Sequence, residues 1–288
     1  MSTERHGTAS LPEAARVTLP NRGTTNVWDI AATQGGHETP ILLLHGWNID
    51  APANFGSAVA DLSEFHRIVM YDQHGHGGGV RAPERFTFEA AADDAIAVLD
   101  AVGISKAIVL GYSMGGAIAQ LVARSAPDRC TGLVLSATAD RFSERHRERA
   151  QFATFGVAAR AVRRLPPRVR RIVFNRVTWA ACYKYPPWIR DTVRAADPVT
   201  LLEAGAQFGQ FDSTDWNRDL EQPSAFIVTQ HDVVVDPTRQ MRLASSLGVV
   251  HLDHLDAGHN IPILDDPRYG AALRNAVDAV VAAEAAAR

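Results

Sequence analysis

The chain alternates between short apolar runs, bounded by turn residues, and longer segments with helical periodicity. Such runs are typical of strands buried on both faces, and strands that alternate with helices form a largely parallel sheet. The first two strand candidates suggest an opening hairpin. The pattern therefore predicts an α/β fold with a mostly parallel eight-stranded sheet covered by helices on both faces. The predicted strands are Ala15–Pro20, Thr25–Ala31, Ile41–Leu44, Arg67–Tyr71, Ala107–Leu110, Leu133–Ser136, Ala225–Thr229 and Val249–Leu252.

Three helices are predicted between and after these strands. The segment Thr87–Val102 is amphipathic, with Thr87 as its N-cap and Glu89 as an acid in its first turn. Met114–Ala126 is small and apolar enough to be a buried helix, and an alanine-rich helix runs from Asp266 to the C-terminus.

One stretch, from Asp140 to Trp216, breaks the alternation because it has helical segments and proline pairs but no convincing strand. We interpret residues 140–216 as a helical lid inserted into a core formed by residues 1–139 and 217–288. The first half of the lid, Arg141 to Arg176, carries eleven arginines against only Glu144 and Glu148. This excess indicates either a solvated helical face or an electrostatic guide for acidic substrates or lipid headgroups, so peripheral lipid contact is one hypothesis. A subunit contact is another, and the oligomeric state is left open.

Composition excludes several classes of protein. The formal charge of the 288 residues is only -3, so nothing global selects nucleic acid as a partner. The two cysteines, Cys130 and Cys182, are too few for a disulfide framework and lack zinc-site spacing. The N-terminus lacks the apolar segment of a signal peptide, and no run of about 18 apolar residues follows. We therefore expect a soluble, cytoplasmic protein.

A candidate nucleophile stands where one of the predicted strands meets a helix. The strand Ala107–Leu110 runs into Gly111-Tyr112-Ser113-Met114-Gly115, a G-x-S-x-G pattern in the strand-turn-helix context that it requires. A nucleophilic serine must stand on a sharp turn, and a Cβ at either flanking glycine would clash across it. The helix that begins at Met114 directs free N–H groups to the same spot, which favours developing negative charge.

The strand Ile41–Leu44 ends in His45-Gly46-Trp47, where backbone N–H groups can face the nucleophile. At this point the chain resembles the α/β-hydrolase family. The resemblance implies that the backbone N–H groups of Trp47 and Met114 form the oxyanion hole, with the Trp47 side chain as a pocket wall. It also implies that His45 buttresses the turn.

The resemblance places the general base at His259, in Ala257-Gly258-His259, between the last strand and the final helix. His231, His251, His254, His74 and His76 compete for this role, but His251 and His254 lie on or beside a strand and are interpreted as packing or surface groups.

The resemblance places the acid after the strand that follows the lid, at Asp232. The loop Gln230–Pro237 resembles the family's G-x-x-D-x-x-V-P loop, although Thr229 replaces the usual glycine. The alternatives are Asp236, which suits an N-cap before Pro237, and Asp140, because some members carry the acid one strand earlier.

A further turn, Tyr71-Asp72-Gln73-His74-Gly75-His76-Gly77, resembles the family's D-x-R-G-x-G turn, with histidine in place of arginine. We interpret it as structural. A metal site at His74 and His76 lacks obvious further ligands, and the neighbouring glycines match neither a phosphate loop nor a dinucleotide fingerprint. No metal and no cofactor are therefore predicted.

The resemblance implies acyl transfer through an acyl-enzyme on Ser113, because a serine in this turn argues against the branches whose nucleophile is a carboxylate. A carboxylesterase or lipase acting on small or medium acyl esters is the first hypothesis, and the lid's aromatic residues could line an apolar pocket or form its core. Thioesterase, lactonase, cofactor-free perhydrolase, carbon-carbon bond hydrolase and acyltransferase activities use the same three residues and stay open. A non-catalytic receptor is the remaining alternative.

Overall fold

The computed structural model describes residues 11–35 and 39–287. In this part of the chain eight strands form one sheet, in the order β1-β2-β4-β3-β5-β6-β7-β8. The pairs β1–β2 and β2–β4 are antiparallel and the others are parallel. The strands are β1 (Ala15–Leu19), β2 (Gly23–Ile30), β3 (Ile41–Leu44), β4 (Ile68–Tyr71), β5 (Ala107–Tyr112), β6 (Cys130–Ser136), β7 (Ser224–Thr229) and β8 (His251–Leu255). The predicted mostly parallel eight-stranded sheet with an opening hairpin is confirmed.

The helices follow the predicted order, with short additions. They are α1 (Ala51–Phe55), α2 (Val59–Ser63), α3 (Phe88–Ala101), α4 (Met114–Ser125), α5 (His146–Arg163), α6 (Pro167–Cys182), α7 (Pro187–Ala195), α8 (Pro198–Gln207), α9 (Pro237–Leu247) and α10 (Pro267–Ala286). The Thr87 hydroxyl caps α3 by accepting a hydrogen bond from the Ala90 N–H at 3.0 Å, as predicted. No helix of the described residues has the length and apolar character needed to cross a bilayer.

The sheet separates two apolar cores because side chains alternate along each strand. Leu42 and Leu44 point into one core, which is completed by α3 and α4. Ile41 and Leu43 point into the other, which is completed by α1, α2 and α10. All four side chains are fully buried, and burying a leucine contributes about 1.5–3 kcal/mol. The short run Ile41–Leu44 thus anchors both layers and fixes where the following turn emerges.

Helices α5 to α8 lie between β6 and β7, in the interval where the sequence predicts a helical lid. The two ends of this insertion meet, because Arg141 and Asp212 form an isolated antiparallel bridge. Its base is also tied to α9, where Arg239 donates hydrogen bonds to Glu148 at 2.9 and 3.0 Å. The predicted core extends to residues 1–10 and Arg288, which lie outside the described residues.

Candidate active site

Ser113 stands on a strained turn between β5 and α4. Its φ of 52° places a non-glycine residue in the left-handed region, which costs free energy and persists only where the surroundings enforce it. Gly115 permits the turn, since a Cβ there would lie 1.9 Å from the Leu44 carbonyl oxygen. A Cβ on Gly111 would lie 2.3 Å from the Gly115 carbonyl oxygen. Both glycines of the motif are therefore required by close backbone approach.

The imidazole of His259 reaches the Ser113 hydroxyl from the loop after β8. Its Nε2 lies 3.1 Å from the Ser113 Oγ. The ring is supported by Tyr112, whose ring centroid is 5.2 Å away and whose hydroxyl donates a hydrogen bond to the His259 carbonyl oxygen. The histidine is thus held within hydrogen-bond reach of the serine from both its backbone and its ring face.

Asp232, in the loop after β7, accepts a hydrogen bond from the opposite nitrogen of His259, with Nδ1 to Oδ2 at 2.7 Å. Its other oxygen accepts from the N–H groups of Val234 and Val235, each at 2.8 Å. Burial acts to raise the pKa of the Asp232 carboxyl, but the bond to His259 and the other donors outweigh burial and hold the pKa below its usual value. The ionised carboxylate fixes the Nδ1–H tautomer, so Nε2 is free to accept a proton from Ser113.

Two residues around Asp232 were not assigned a role from the sequence. The Thr229 hydroxyl donates to Asp232 Oδ2 at 2.8 Å, and the Gln240 amide donates to the same oxygen at 3.1 Å. The Gln240 Oε1 in turn accepts from the Thr229 N–H at 3.1 Å. Both side chains are fully buried. The departure from glycine at Thr229 was the only signal in the sequence, and nothing there marks Gln240.

The alternative acids are engaged elsewhere. Asp140 is buried and forms a bidentate ion pair with Arg242, whose Nη2 and Nε donate to Oδ1 and Oδ2 at 2.5 and 2.7 Å. Asp236 caps α9 by accepting from the Thr238 N–H at 2.8 Å, as its position before Pro237 predicted. Neither carboxylate is used to orient His259.

The competing histidines also lie in other environments. The exposed His231 pairs with Asp256 at 2.5 Å, and His251 pairs with Asp253 at 3.0 Å. His74 and His76 are buried in the turn after β4, where both rings pack on Phe86. Burial lowers the pKa of both imidazoles, so they are neutral packing groups. The described residues contain no group of three or more histidine, cysteine, aspartate or glutamate side chains that could hold a metal ion.

Asp72 organises the turn that contains these two histidines. Its Oδ1 accepts from the Ala51 N–H at 3.0 Å, and its Oδ2 accepts from the Gly78 N–H at 2.7 Å. The carboxylate thus joins the start of α1 to the glycine-rich turn. These bonds give Asp72 a structural role.

The residues expected to form the oxyanion hole border Ser113. Met114 is the first residue of α4, so its N–H has no acceptor within the helix. Trp47 follows β3, and an added Cβ on the preceding Gly46 would lie 3.5 Å from the Ser113 Cβ. The turn is fixed by His45, whose Nε2 accepts from the Gln73 N–H at 2.9 Å while its Nδ1 donates to the Gly46 carbonyl at 2.8 Å. Burial lowers the pKa of His45 to about 4, which keeps it neutral.

Ser113 opens into a cavity of about 320 Å³ that is mostly apolar. Phe142, Phe152 and Phe208 from the helical insertion form one part of its wall. Val234, Val235 and residues near His259 form another. A cavity of this size, with a few convergent polar groups, suits a small apolar ligand. The arrangement can activate a serine hydroxyl beside a bound apolar substrate.

Comparison with known proteins agrees with this architecture. The family model for the alpha/beta hydrolase fold matches residues 39–266. Among curated proteins, the chain is 34% identical over 119 residues to the dihydrolipoyllysine-residue acetyltransferase component of an acetoin cleaving system from Pseudomonas putida. The match covers 39% of this chain and 30% of that protein. It is 36% identical over 98 residues to the esterase YbfF of Escherichia coli, covering 34% of this chain and 38% of that protein. The chain thus matches well under half the length of these relatives.

A solved structure extends the likeness to nearly the whole chain. A thermophilic esterase from Thermogutta terrifontis superposes with a TM-score of 0.73 at 25% sequence identity, and the match covers 93% of this chain and 99% of that one.

Proposed function

Because this chain belongs to the alpha/beta hydrolase family, we propose that it is a serine esterase that cleaves carboxylic esters through an acyl-enzyme on Ser113. The observation that carries this proposal is the continuous series of contacts from Ser113 Oγ to His259 Nε2, and from His259 Nδ1 to Asp232 Oδ2, at 3.1 and 2.7 Å. Nucleophile, base and acid follow one another at hydrogen-bond distance, which is the geometry that nucleophilic catalysis requires.

In the proposed mechanism, His259 Nε2 takes the Ser113 proton as Oγ attacks the ester carbonyl carbon. The carbonyl oxygen becomes an oxyanion and accepts hydrogen bonds from the backbone N–H groups of Trp47 and Met114, each worth roughly 3 kcal/mol in the transition state. His259, now an imidazolium stabilised by Asp232, gives its proton to the leaving alcohol oxygen as the carbon–oxygen bond breaks. The acyl group stays on Ser113.

The second half of the cycle repeats these steps with water. His259 takes a proton from water, whose oxygen attacks the acyl carbon, and the returning proton releases Ser113 and the carboxylic acid. Thioesterase, lactonase, perhydrolase, carbon-carbon bond hydrolase and acyltransferase reactions would use the same groups. The mostly apolar cavity beside Ser113 favours an apolar or aromatic ester as the substrate.

Residues 140–216 act in this proposal as a lid over the reacting atoms. The support is that Phe142, Phe152 and Phe208 line the same cavity as Ser113. The three rings pack together, with centroid distances of 4.8 Å for Phe142–Phe208 and 5.9 Å for Phe152–Phe208. A packed aromatic surface of this kind shields the apolar part of a bound substrate from bulk water.

The proposal is tested by p-nitrophenyl ester hydrolysis with wild type, Ser113→Ala and the matched control Ser125→Ala. Ser113 precedes α4, and Ser125 is an exposed serine at the other end of that helix. We expect wild type to hydrolyse a short-chain ester and Ser113→Ala to lose on the order of 10⁶-fold in kcat. Ser125→Ala should keep the wild-type rate. A Ser113→Ala enzyme that retains the wild-type rate contradicts the proposal.

The lid also has a surface suited to an anionic lipid bilayer. Along α6, Val169 and Ile172 share one helical face and are exposed, as is Trp179 two turns beyond Ile172. Exposed arginines, Arg168 and Arg176, belong to the same helix. An apolar face with flanking cations suits the boundary between acyl chains and anionic headgroups.

Vesicle sedimentation tests this contact. Wild type should bind vesicles of phosphatidylcholine that contain about 30% phosphatidylglycerol, a fraction that gives the surface a negative charge. It should bind vesicles of pure phosphatidylcholine more weakly. Ile172→Glu should weaken binding, whereas Val157→Glu, on an exposed site of α5, should not. Equal binding to both vesicle types, or equal loss in both variants, would reject the lipid contact.

A further inference from the structure

A second cavity, of about 310 Å³, lies among the helices of the insertion. Helices α5, α6, α7 and α8 each contribute to its wall, with Val162, Phe174, Val193 and Leu202 among the lining residues. Among the described residues of the lining, Arg170 is the one charged side chain. The size of this second cavity falls within the range of ligand pockets, and its apolar wall suits a hydrocarbon chain.

The second cavity adjoins the cavity of Ser113. Trp47 and Asn48 line both of them. The Trp47 indole is fixed between the two, because its Nε1 donates to the Leu201 carbonyl oxygen at 3.0 Å and its ring packs edge-on against Phe155 and Phe208, with centroids 5.7 and 5.8 Å away. The Trp47 indole thus lies between the two cavities, and the backbone N–H of the same residue is a proposed oxyanion donor.

The chemistry of the proposed reaction sets the direction in which a substrate would extend. The leaving alcohol must lie beside His259 because it receives its proton from Nε2. Asn260, Pro262 and Ile263, which follow His259, line the cavity of Ser113 and border that side. The carbonyl oxygen points to the Trp47 N–H. The acyl chain is the remaining substituent of the carbonyl carbon and extends away from His259 into the rest of this cavity, which adjoins the second cavity at Trp47 and Asn48.

We propose that this second cavity, hereafter the lid cavity, is an acyl-chain subsite that gives the enzyme a preference for esters of longer, unbranched, apolar acids. The inference rests on the proposed esterase function. Each methylene transferred from water into an apolar site is worth about fourfold in kcat/KM, so even a few methylenes in the lid cavity separate long from short substrates.

Filling the lid cavity from two of its helices tests this subsite. Val162→Trp on α5 and Leu202→Trp on α8 place an indole into it, and Val157→Trp, at an exposed position of α5, is the matched control. We expect both filled variants to hydrolyse p-nitrophenyl acetate within about twofold of wild type and to lose at least about tenfold in kcat/KM on the octanoate. The control should keep both activities. An unchanged ratio of octanoate to acetate activity in the filled variants overturns the subsite.

Calorimetric titration of decanoate provides a readout that does not depend on turnover. Ser113→Ala should bind decanoate, and Ser113→Ala/Leu202→Trp should bind it at least about tenfold more weakly. Equal affinity in the two proteins overturns the subsite. If wild type hydrolyses no ester but this difference in binding appears, the esterase proposal fails while the lid cavity stands as a binding site. If esters are cleaved without chain-length discrimination, only the subsite fails.

Discussion

The Gln240 amide nitrogen donates a hydrogen bond to Asp232 Oδ2 at 3.1 Å, the same oxygen that accepts from His259 Nδ1. Gln240 lies on α9, eight residues beyond the carboxylate, and its Nε2 also donates to the Val235 carbonyl oxygen at 2.8 Å. The amide therefore ties the loop of the proposed acid to the helix that follows. We interpret Gln240 and Thr229 as positioning residues for Asp232.

Thr229→Val removes one donor from Asp232 with little change in side-chain shape. The Thr229 hydroxyl helps to lower the pKa of the carboxyl, so its loss should raise that pKa. The carboxylate is then protonated at a higher pH than in wild type, so the loss of kcat/KM relative to wild type should deepen as the pH falls towards the usual aspartate range. At neutral pH we expect a loss of roughly tenfold, as for one bond to a charged group. A loss of the same size at every pH would indicate a purely structural role.

Asp232→Asn should lower kcat by about 10⁴-fold, because an amide cannot stabilise the imidazolium or hold the Nδ1–H tautomer. Asp140→Asn is the matched control, since Asp140 is the alternative acid and pairs with Arg242. It should keep kcat within about threefold while losing roughly 1–3 kcal/mol of stability from the broken ion pair. Steady-state kinetics and urea unfolding of both variants measure these effects. The reverse pattern of kinetic losses would reassign the acid to Asp140.

Gly115→Ala should abolish the geometry of the serine turn. The new Cβ would meet the Leu44 backbone oxygen at 1.9 Å, and neither backbone can give way without moving β3 or α4. We expect a destabilisation of about 3 kcal/mol and loss of esterase activity. Gly35→Ala, whose Cβ would meet no atom of the described residues within 4 Å, should change stability by less than about 0.5 kcal/mol. Thermal unfolding of the two variants gives the comparison, and equal midpoints would contradict this account of the turn.

Glu148→Gln should weaken the attachment of the helical insertion to α9 in a pH-dependent way. The backbone N–H groups of Glu144 and Arg145, together with Arg239, lower the pKa of Glu148 to about 2. A lowered folded-state pKa means that this stabilisation is present above the ordinary glutamate pKa, about 4.3, and is lost as pH falls through 2. The difference in free energy of unfolding between wild type and variant should be larger at pH 7 than at pH 3. A constant difference would show that the charge of Glu148 is not its source.

The sheet was predictable because each buried strand is a short apolar run between turn residues. The five-residue helices α1 and α2 were missed, since neither is long enough to show periodicity. The last strand begins at His251 instead of Val249, and Val250 is half exposed, so the apolar pair before it does not mark the strand. Boundaries of this kind depend on tertiary packing.

The residues of the proposed site could be named from local motifs, and the structure brings Ser113, His259 and Asp232 together. The residues that position them could not be predicted from the sequence. Gln240 reaches Asp232 only because the chain turns into α9 between them, and no local pattern records that contact. The lid cavity likewise arises from side chains on four separate helices that meet only in three dimensions.

The central claim is that Ser113 is an activated nucleophile, and covalent labelling tests it most directly. Purified wild type and Ser113→Ala are treated with a fluorophosphonate, and intact mass is measured. We predict that wild type gains a single adduct and that Ser113→Ala gains none. A wild-type protein that stays unlabelled, or a Ser113→Ala protein that labels equally, would contradict the account.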